Sequence, residues 1–378
     1  MYVLVIYGVI GLLGLLKHFI DEKKYRNISI CIFILTMLFF TIRLNMGNDI
    51  PEYLIAYDRV ENPIYDAIHY HLSRNIGFTT LALICKKIFG SYSMFLLTCN
   101  ALTSIVITYI VFKHSKNILL SLMIFIGSGY LEVYYSSGIR QSLAMTIFLF
   151  SYFEFLENKQ YIKYYIGILV AFSFHDVALV GFILPLALKQ LNKIKENKIK
   201  KGTIIVVIAL LLSFLSSFAL TTLFNIVGSD YTWNHILSYF SGQSFSVIGL
   251  GLQFVITLMC IILYVIGNEK SENTYLQILT IFVSLLIYIL LVRFPIVSRV
   301  CDYLQVILII TIPNILESIS SKKKYILSFL FVWTLNGYLL YADMKEKIKK
   351  MDDITLESYP YVTLFEQEKC ELYFYGEE

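Results

Sequence analysis

Residues 166–188 read IGILVAFSFHDVALVGFILPLAL, and how they cross a membrane decides the fold. Apolar side chains surround a titratable pair, His175–Asp176, and lysines close both ends, at Lys163 and from Lys189 onward. If 161–188 were one span, the basic segments ENKQYIK (157–163) and KQLNKIKENKIKKG (189–202) would lie on opposite sides. Short loops rich in lysine and arginine stay cytoplasmic. A single crossing therefore exports the six lysines of 189–202, or inverts every later loop and exports SKKKY (321–325). A helical hairpin removes the conflict. Two arms of about 14 residues rise only about 21 Å at 1.5 Å per residue, short of a hydrocarbon core of about 30 Å. The turn SFHD (173–176) is then left at membrane depth near the outer face. Non-helical backbone there needs protein or a wet cavity around it.

The rest of the chain agrees with a membrane setting. Its 378 residues are 57% hydrophobic and 15% charged, with mean hydropathy +0.69, against about 45–50% and about 25% for soluble domains. Apolar runs recur at 1–16, 28–42, 91–112, 118–134, 140–156, 161–188, 202–227, 244–266, 274–292, 300–317 and 325–341. The expected fold is an all-α polytopic integral membrane protein of about 11–12 transmembrane segments, the short hairpin at 161–188 included. One transmembrane domain covers 1–341, with a large outer loop at 43–90 and a tail at 342–378 outside. Within that loop, IGFTTLALICKKIFG (76–90) has apolar residues at helical spacing opposite Lys86 and Lys87, suiting an interfacial helix or a cap over a cavity. The first run has no basic leader and no small-residue cleavage site, and reads as a retained span.

Several function classes are excluded. The net charge of +4 says little, because placement of charge matters more than its sum in a membrane. The six cysteines form no CxxC and no His-Cys spacing for a metal, so neither metal nor redox cofactor is expected. There is no phosphate-binding glycine loop and no basic-aromatic surface for nucleic acid. His69, His71, His114 and His235 lack further ligands nearby.

Taking KHFIDEKKYRN (17–27), KHSKN (113–117), 157–163, 189–202 and 321–325 as cytoplasmic threads the chain with both termini outside. It also brings RLNMGNDIPEYL (43–54), SSGIRQSLA (136–144), FHD (174–176) and RFPIVSRVCDYL (293–304) to the outer side. Charge at membrane depth costs about 2.5–3.5 kcal/mol on insertion scales and by default marks a functional cavity. Each segment has two readings. Arg43 with Gly47, Asp49 and Tyr53 either pairs a phosphate and orients a hydroxyl, or is a snorkelling arginine beside an Asn-Asp turn. Arg140 and Gln141, opening a helix, form an anion seat or a headgroup anchor. His175 is a general base with Asp176 beside it as orienter, or a structural histidine. Arg293, Arg299, Asp302 and Tyr303 suit a diphosphate, or Arg299 and Asp302 neutralise each other at i, i+3.

IRLNMGNDIPEYL (42–54) resembles the R-x-x-x-G-x-D-x-x-x-Y entry of EpsG-type proteins, the Wzy-like polymerases of bacterial surface polysaccharides. SGIRQSLAMTIFLFSYFEFLENKQYIKYYIGILVAFSFHDVAL (137–179) resembles that family's IRQ helix, basic turn and FH segment. SRVCDYLQVILIITIPNIL (298–316) and YPYVTLFE (359–366) are similar to its later arginine-tyrosine element and its tail. One departure is SRNIGF (73–78), where relatives often carry an acid before the G-F, so no role is carried over to Arg74 or Asn75.

The resemblance implies an inverting glycosyltransferase of the bacterial plasma membrane, with its active site facing the periplasm or exterior. A growing O-antigen, capsule or exopolysaccharide chain on undecaprenyl diphosphate would be moved onto another lipid-linked repeat unit. Donor and acceptor lipid-linked oligosaccharides and membrane lipid are then the partners, with a chain-length regulator as a further candidate, and no cofactor is implied. Arg43, Arg140 and Arg299 would hold the diphosphate, His175 would be the base, and Asp49 would orient sugar or acceptor. A lipid-linked glycan ligase needs the same diphosphate site, and a GT-C-like transferase using Asp49 is a further alternative. A flippase would predict similar halves and midplane charges; the sequence has one hairpin and outer-face charges.

Overall fold

The computed structural model describes residues 2–43, 49–62, 64, 75–135, 138–192, 247–268, 270–292, 294–350 and 363–365. The expected span 202–227, Gly47, Arg74 and Arg293 lie outside them, as do most of the basic loop 189–202 and most of the tail. The described chain is all-helical, and it divides into two compact units: Met1–Ala178 with Leu308–Glu378, and Leu179–Ile307.

The first unit holds α1 (Tyr2–Leu15), α2 (Glu22–Thr41), α3 (Ile50–Arg59), α4 (Ile76–Phe89), α5 (Tyr92–His114) and α6 (Ile118–Gly127). It continues with α7 (Tyr130–Tyr135), α8 (Ile139–Ser151, extended by a π-helical turn to Leu156) and α9 (Tyr161–Phe174). After the second unit's α10 (Val180–Asn192), α11 (Val247–Ile266), α12 (Glu272–Leu291) and α13 (Val297–Gln305), the chain returns to the first with α14 (Leu308–Glu317) and α15 (Lys322–Lys350).

Helix α6, ILLSLMIFIG, is apolar all round and therefore buried all round, with α1, α2, α14 and α15 packed on it. Asn117 starts it, its Oδ1 accepting from Leu120 N at 3.1 Å, and satisfies a helix-terminal donor in the usual way. The amide of Asn117 then donates to Glu317 at 2.7 Å. Glu317 also accepts from Lys17 and, at 3.3 Å, from the Tyr325 hydroxyl. Nearby, Lys113 and His114 pair with Glu154 at 2.7 and 2.9 Å. The basic end of this unit is thus closed by buried and half-buried polar contacts.

Surface chemistry fits lipid. On α11, Ile248, Leu258, Ile262 and Val265 face outward while Gln253 and Thr257 are buried, the inverse of a soluble helix and the usual arrangement where polar groups join spans. Gln305 Nε2 donates to Gln253 and, at 3.2 Å, to Ser284 on α12. Among the described residues, five helices are long and apolar enough to cross a membrane, α2, α5, α11, α12 and the first two-thirds of α15, and α13 with α14 makes a broken sixth. The protein is a multi-pass membrane protein.

Some boundaries differ from expectation. The run 118–134 is two helices, because Gly129 takes φ +77° and turns the chain where a side chain could not follow easily. The run 300–317 breaks at Val306–Ile307. The last helix continues to Lys350, well past 341. The segment 43–90, expected as an outer loop, contains α3 as well as α4, and α4 packs on α3, α5 and α9, burying Phe78, Thr79, Ala82 and Cys85. It ends at Gly90, φ +63°, whose N–H reaches Lys86 O, a left-handed C-terminal turn. The decisive stretch is broken where expected: α9 stops at Phe174, His175 is extended (φ −158°, ψ 128°), and a 3-10 turn over Asp176–Leu179 leads into α10.

Candidate functional site

One hydrophobic cluster organises the end of the first unit away from its basic end. It joins Ile50, Tyr53, Leu54 and Tyr57 of α3 to Phe78 and Ala82 of α4, to Tyr92 and Phe95 of α5 and to Ile139 and Leu143 of α8. Leu364, from the C-terminal segment, completes it, and Phe174 packs against its edge. Helix α5 shows the separation of the two ends: 23 residues lead from Tyr92 in this cluster to His114 beside Glu154, about 34 Å at 1.5 Å per residue.

The polar candidates are sequence neighbours of the cluster's members. Asp49 precedes Ile50, Arg140 follows Ile139, and the His175–Asp176 turn follows Phe174. Apolar packing sets where each backbone stands. Arg140 Cζ lies 5.1 Å from the centre of the Tyr53 ring, a cation–π geometry. The Tyr53 hydroxyl donates to Asp49 Oδ2 at 3.4 Å. Arg140 Nη1 is 3.5 Å from Asn75 Oδ1, and Asn75 Nδ2 donates to Asp176 Oδ1 at 3.1 Å. Asp49, Tyr53, Arg140, Asn75 and Asp176 thus form one continuous chain of contacts, drawn from α3, α4, α8 and the turn after α9.

Asn75 is what the sequence alone missed. The departure at SRNIGF stood out, but an asparagine before a helix normally reads as a local cap. Here it is 4% exposed and makes no side-chain cap bond. Gly77, two residues along, explains the close approach: an added Cβ would stand 2.4 Å from Ser173 Oγ and 2.9 Å from the Phe174 ring.

The remaining candidates are placed as follows. His175 is half-buried, its N–H donating to Ala171 O and its carbonyl accepting from Ala178 N, both at 3.1 Å. Its backbone is therefore held on both sides of the turn. Helix α8 starts at Gly138 without a side-chain cap, and Arg140 lies in its first turn, where the helix dipole is positive. Gln141 points down its own helix, with its amide 3.6 Å from Met145 Sδ.

Arg43 is 3% exposed and held by its backbone: it bridges antiparallel to Thr363, and its carbonyl is 3.4 Å from Asn100 Nδ2. The next bond of that bridge is Leu364 N to Ile42 O at 2.9 Å. In the second unit Arg299 is exposed, Asp302 half-buried and Tyr303 fully buried on α13. Among the described residues, no three His, Cys, Asp or Glu side chains group as metal ligands.

The EpsG family model matches residues 26–361, from early in α2 to two residues before the strap at Thr363. No curated protein and no solved structure matches the chain. The match spans every element that carries Arg43, Asp49, Asn75, Arg140 and His175. The chain belongs to the EpsG family, whose members are Wzy-like polysaccharide polymerases.

Proposed function

We propose that this protein joins undecaprenyl-diphosphate-linked oligosaccharide repeat units by inverting glycosyl transfer on the outer face of the bacterial plasma membrane. The observation that carries the reading is the chain of contacts linking Asp49, Tyr53, Arg140 and Asp176 at the end of the unit remote from its lysine-rich loops. Basic loops stay cytoplasmic, so this end is the external one, where lipid-linked repeat units are elongated.

The chemistry needs few parts. The acceptor hydroxyl attacks the anomeric carbon of the donor from the face opposite the diphosphate. A new C–O bond forms, the bond to the diphosphate breaks, and the hydroxyl proton passes to His175. The departing lipid diphosphate carries the electron pair away as charge. Arginines fixed before the reaction stabilise that charge without reorganising, which is the work assigned to Arg140 and Arg43 of the first unit. Asp49, beside the Tyr53 hydroxyl, orients a sugar hydroxyl.

The test is elongation of lipid-linked repeat units by the purified full-length protein in lipid, read as a glycan ladder, for wild type, His175→Ala and Arg140→Ala. A wild-type ladder that falls to the single repeat unit in both variants, at equal membrane levels, supports the assignment. Long chains from His175→Ala remove His175 as the base, and repeat units transferred once onto a different lipid make the protein a ligase.

A further inference from the structure

Asn75, buried in the first unit, does not use its side chain as a residue at a helix start ordinarily does. Its main-chain carbonyl does the work of a helix start, accepting from Thr79 N at 3.1 Å and from Thr79 Oγ1 at 3.2 Å. Its side chain forgoes the cap, although asparagine is among the best residues for one. It reaches instead to Arg140, 65 positions along the chain, and to Asp176, 101 positions along.

A carboxamide is suited to that position. It has one accepting end and one donating end, so a single neutral side chain can face a guanidinium, which only donates, and a carboxylate, which only accepts. The two partners also fix which way the amide points, since the flipped form would face donor with donor and acceptor with acceptor. An aspartate here would meet Asp176 with like charge, and a lysine would meet Arg140 the same way. The contact between Gly77 and Ser173–Phe174 shows independently that the start of α4 and the turn after α9 are seated on each other.

We infer that Asn75 is a positioning residue, which holds the His175–Asp176 turn in register with the Arg140 anion seat by reading both charges through one amide. It rests on the polymerase reading for its consequence, and on geometry alone for the bond. Asp176, on this inference, acts through Asn75 and not on the sugar. The base and the diphosphate site come from segments far apart in the chain, and the amide couples their positions.

Four full-length proteins test it: wild type, Asn75→Asp, Asp176→Asn and the reciprocal pair Asn75→Asp/Asp176→Asn. The pair restores a donor opposite an acceptor, now with the carboxylate at position 75 also facing Arg140. Elongation is measured with lipid-linked repeat units at fixed membrane level, separating kcat from KM, and thermal unfolding is followed in the same detergent. Each single variant is expected to lose about tenfold or more in kcat, equivalent to roughly 1.4 kcal/mol of barrier, and the pair to regain most of it. The unfolding midpoints should be non-additive in the same sense. Additive midpoints overturn the bond whatever reaction the protein performs. Midpoints restored in the pair without restored kcat overturn the positioning role, because one of the two side chains then touches substrate. If wild type elongates nothing, the polymerase reading fails while the thermal cycle still decides the bond.

Discussion

Gly77→Ala perturbs the site without altering any of its charged or amide side chains. The added Cβ would lie 2.4 Å from Ser173 Oγ and 2.9 Å and 3.0 Å from two atoms of the Phe174 ring. Ordinary contact between such atoms is about 3.5 Å, so α4 and the end of α9 must separate by about 1 Å. Ser173 cannot simply swing away without cost, since its hydroxyl donates to Val170 O at 2.7 Å. Phe174 is held by the cluster around Tyr53 and Phe78. Overpacking of this kind costs about 1–3 kcal/mol. The same displacement moves His175 relative to Arg140, and a misplacement of about 1 Å can cost about 100-fold in rate. Polymer length from Gly77→Ala should therefore collapse while the protein still inserts, and unfolding should shift to lower temperature. Removing the nearer obstacle in Gly77→Ala/Ser173→Ala should recover part of both, and only part, because the Phe174 contact remains. A Gly77→Ala protein with wild-type ladder and wild-type unfolding would refute the seating of α4 on the turn and the coupling built on it.

Tyr53→Phe keeps the ring over which Arg140 sits and loses the hydroxyl at Asp49, whereas Tyr53→Leu loses both. A cation–π contact is worth about 0.5–2 kcal/mol, so the leucine variant should fall several-fold below the phenylalanine variant in kcat/KM at equal expression. Leu364→Ala empties a 5%-exposed position in the cluster. At about 2 kcal/mol or more for a leucine truncation, it should lower the unfolding temperature and release the strap at Arg43, read as faster proteolysis of the C-terminal segment. Glu317→Leu strands Lys17 and removes acceptors for Asn117 and Tyr325. Breaking a fully buried pair costs about 3–5 kcal/mol, and this partly exposed one less, so membrane levels should drop, and Lys17→Met in the same chain should restore much of the loss.

The sequence by itself determined the solvent. Runs of apolar residues long enough for lipid leave no soluble fold open, and the basic short loops on both sides of 166–188 require the break at His175–Asp176 that α9 and its turn display. Hydropathy and charge are additive along the chain, which is why they can be read without coordinates. The candidate residues were legible for a related reason: arginine, aspartate and histidine at the outer ends of apolar runs are expensive wherever they point.

Partnership was decided only by tertiary structure. Asp49 and Tyr53 meet at a spacing of four that the sequence already holds, but Arg140 comes beside Tyr53 because Ile139, Ile50 and Phe78 share one core, and no spacing in the sequence encodes that. Gln141, adjacent to Arg140 and equally polar, turns instead toward Met145, since neighbouring residues on a helix face different directions. Asn75, to which the sequence reading assigned no role, is a bridge between two charges, because a neutral amide takes its meaning from whatever donor and acceptor the fold sets beside it. The pairing of Arg43 with Thr363 joins residues 320 positions apart, and only the closing of the chain on itself brings such a pair within one hydrogen bond.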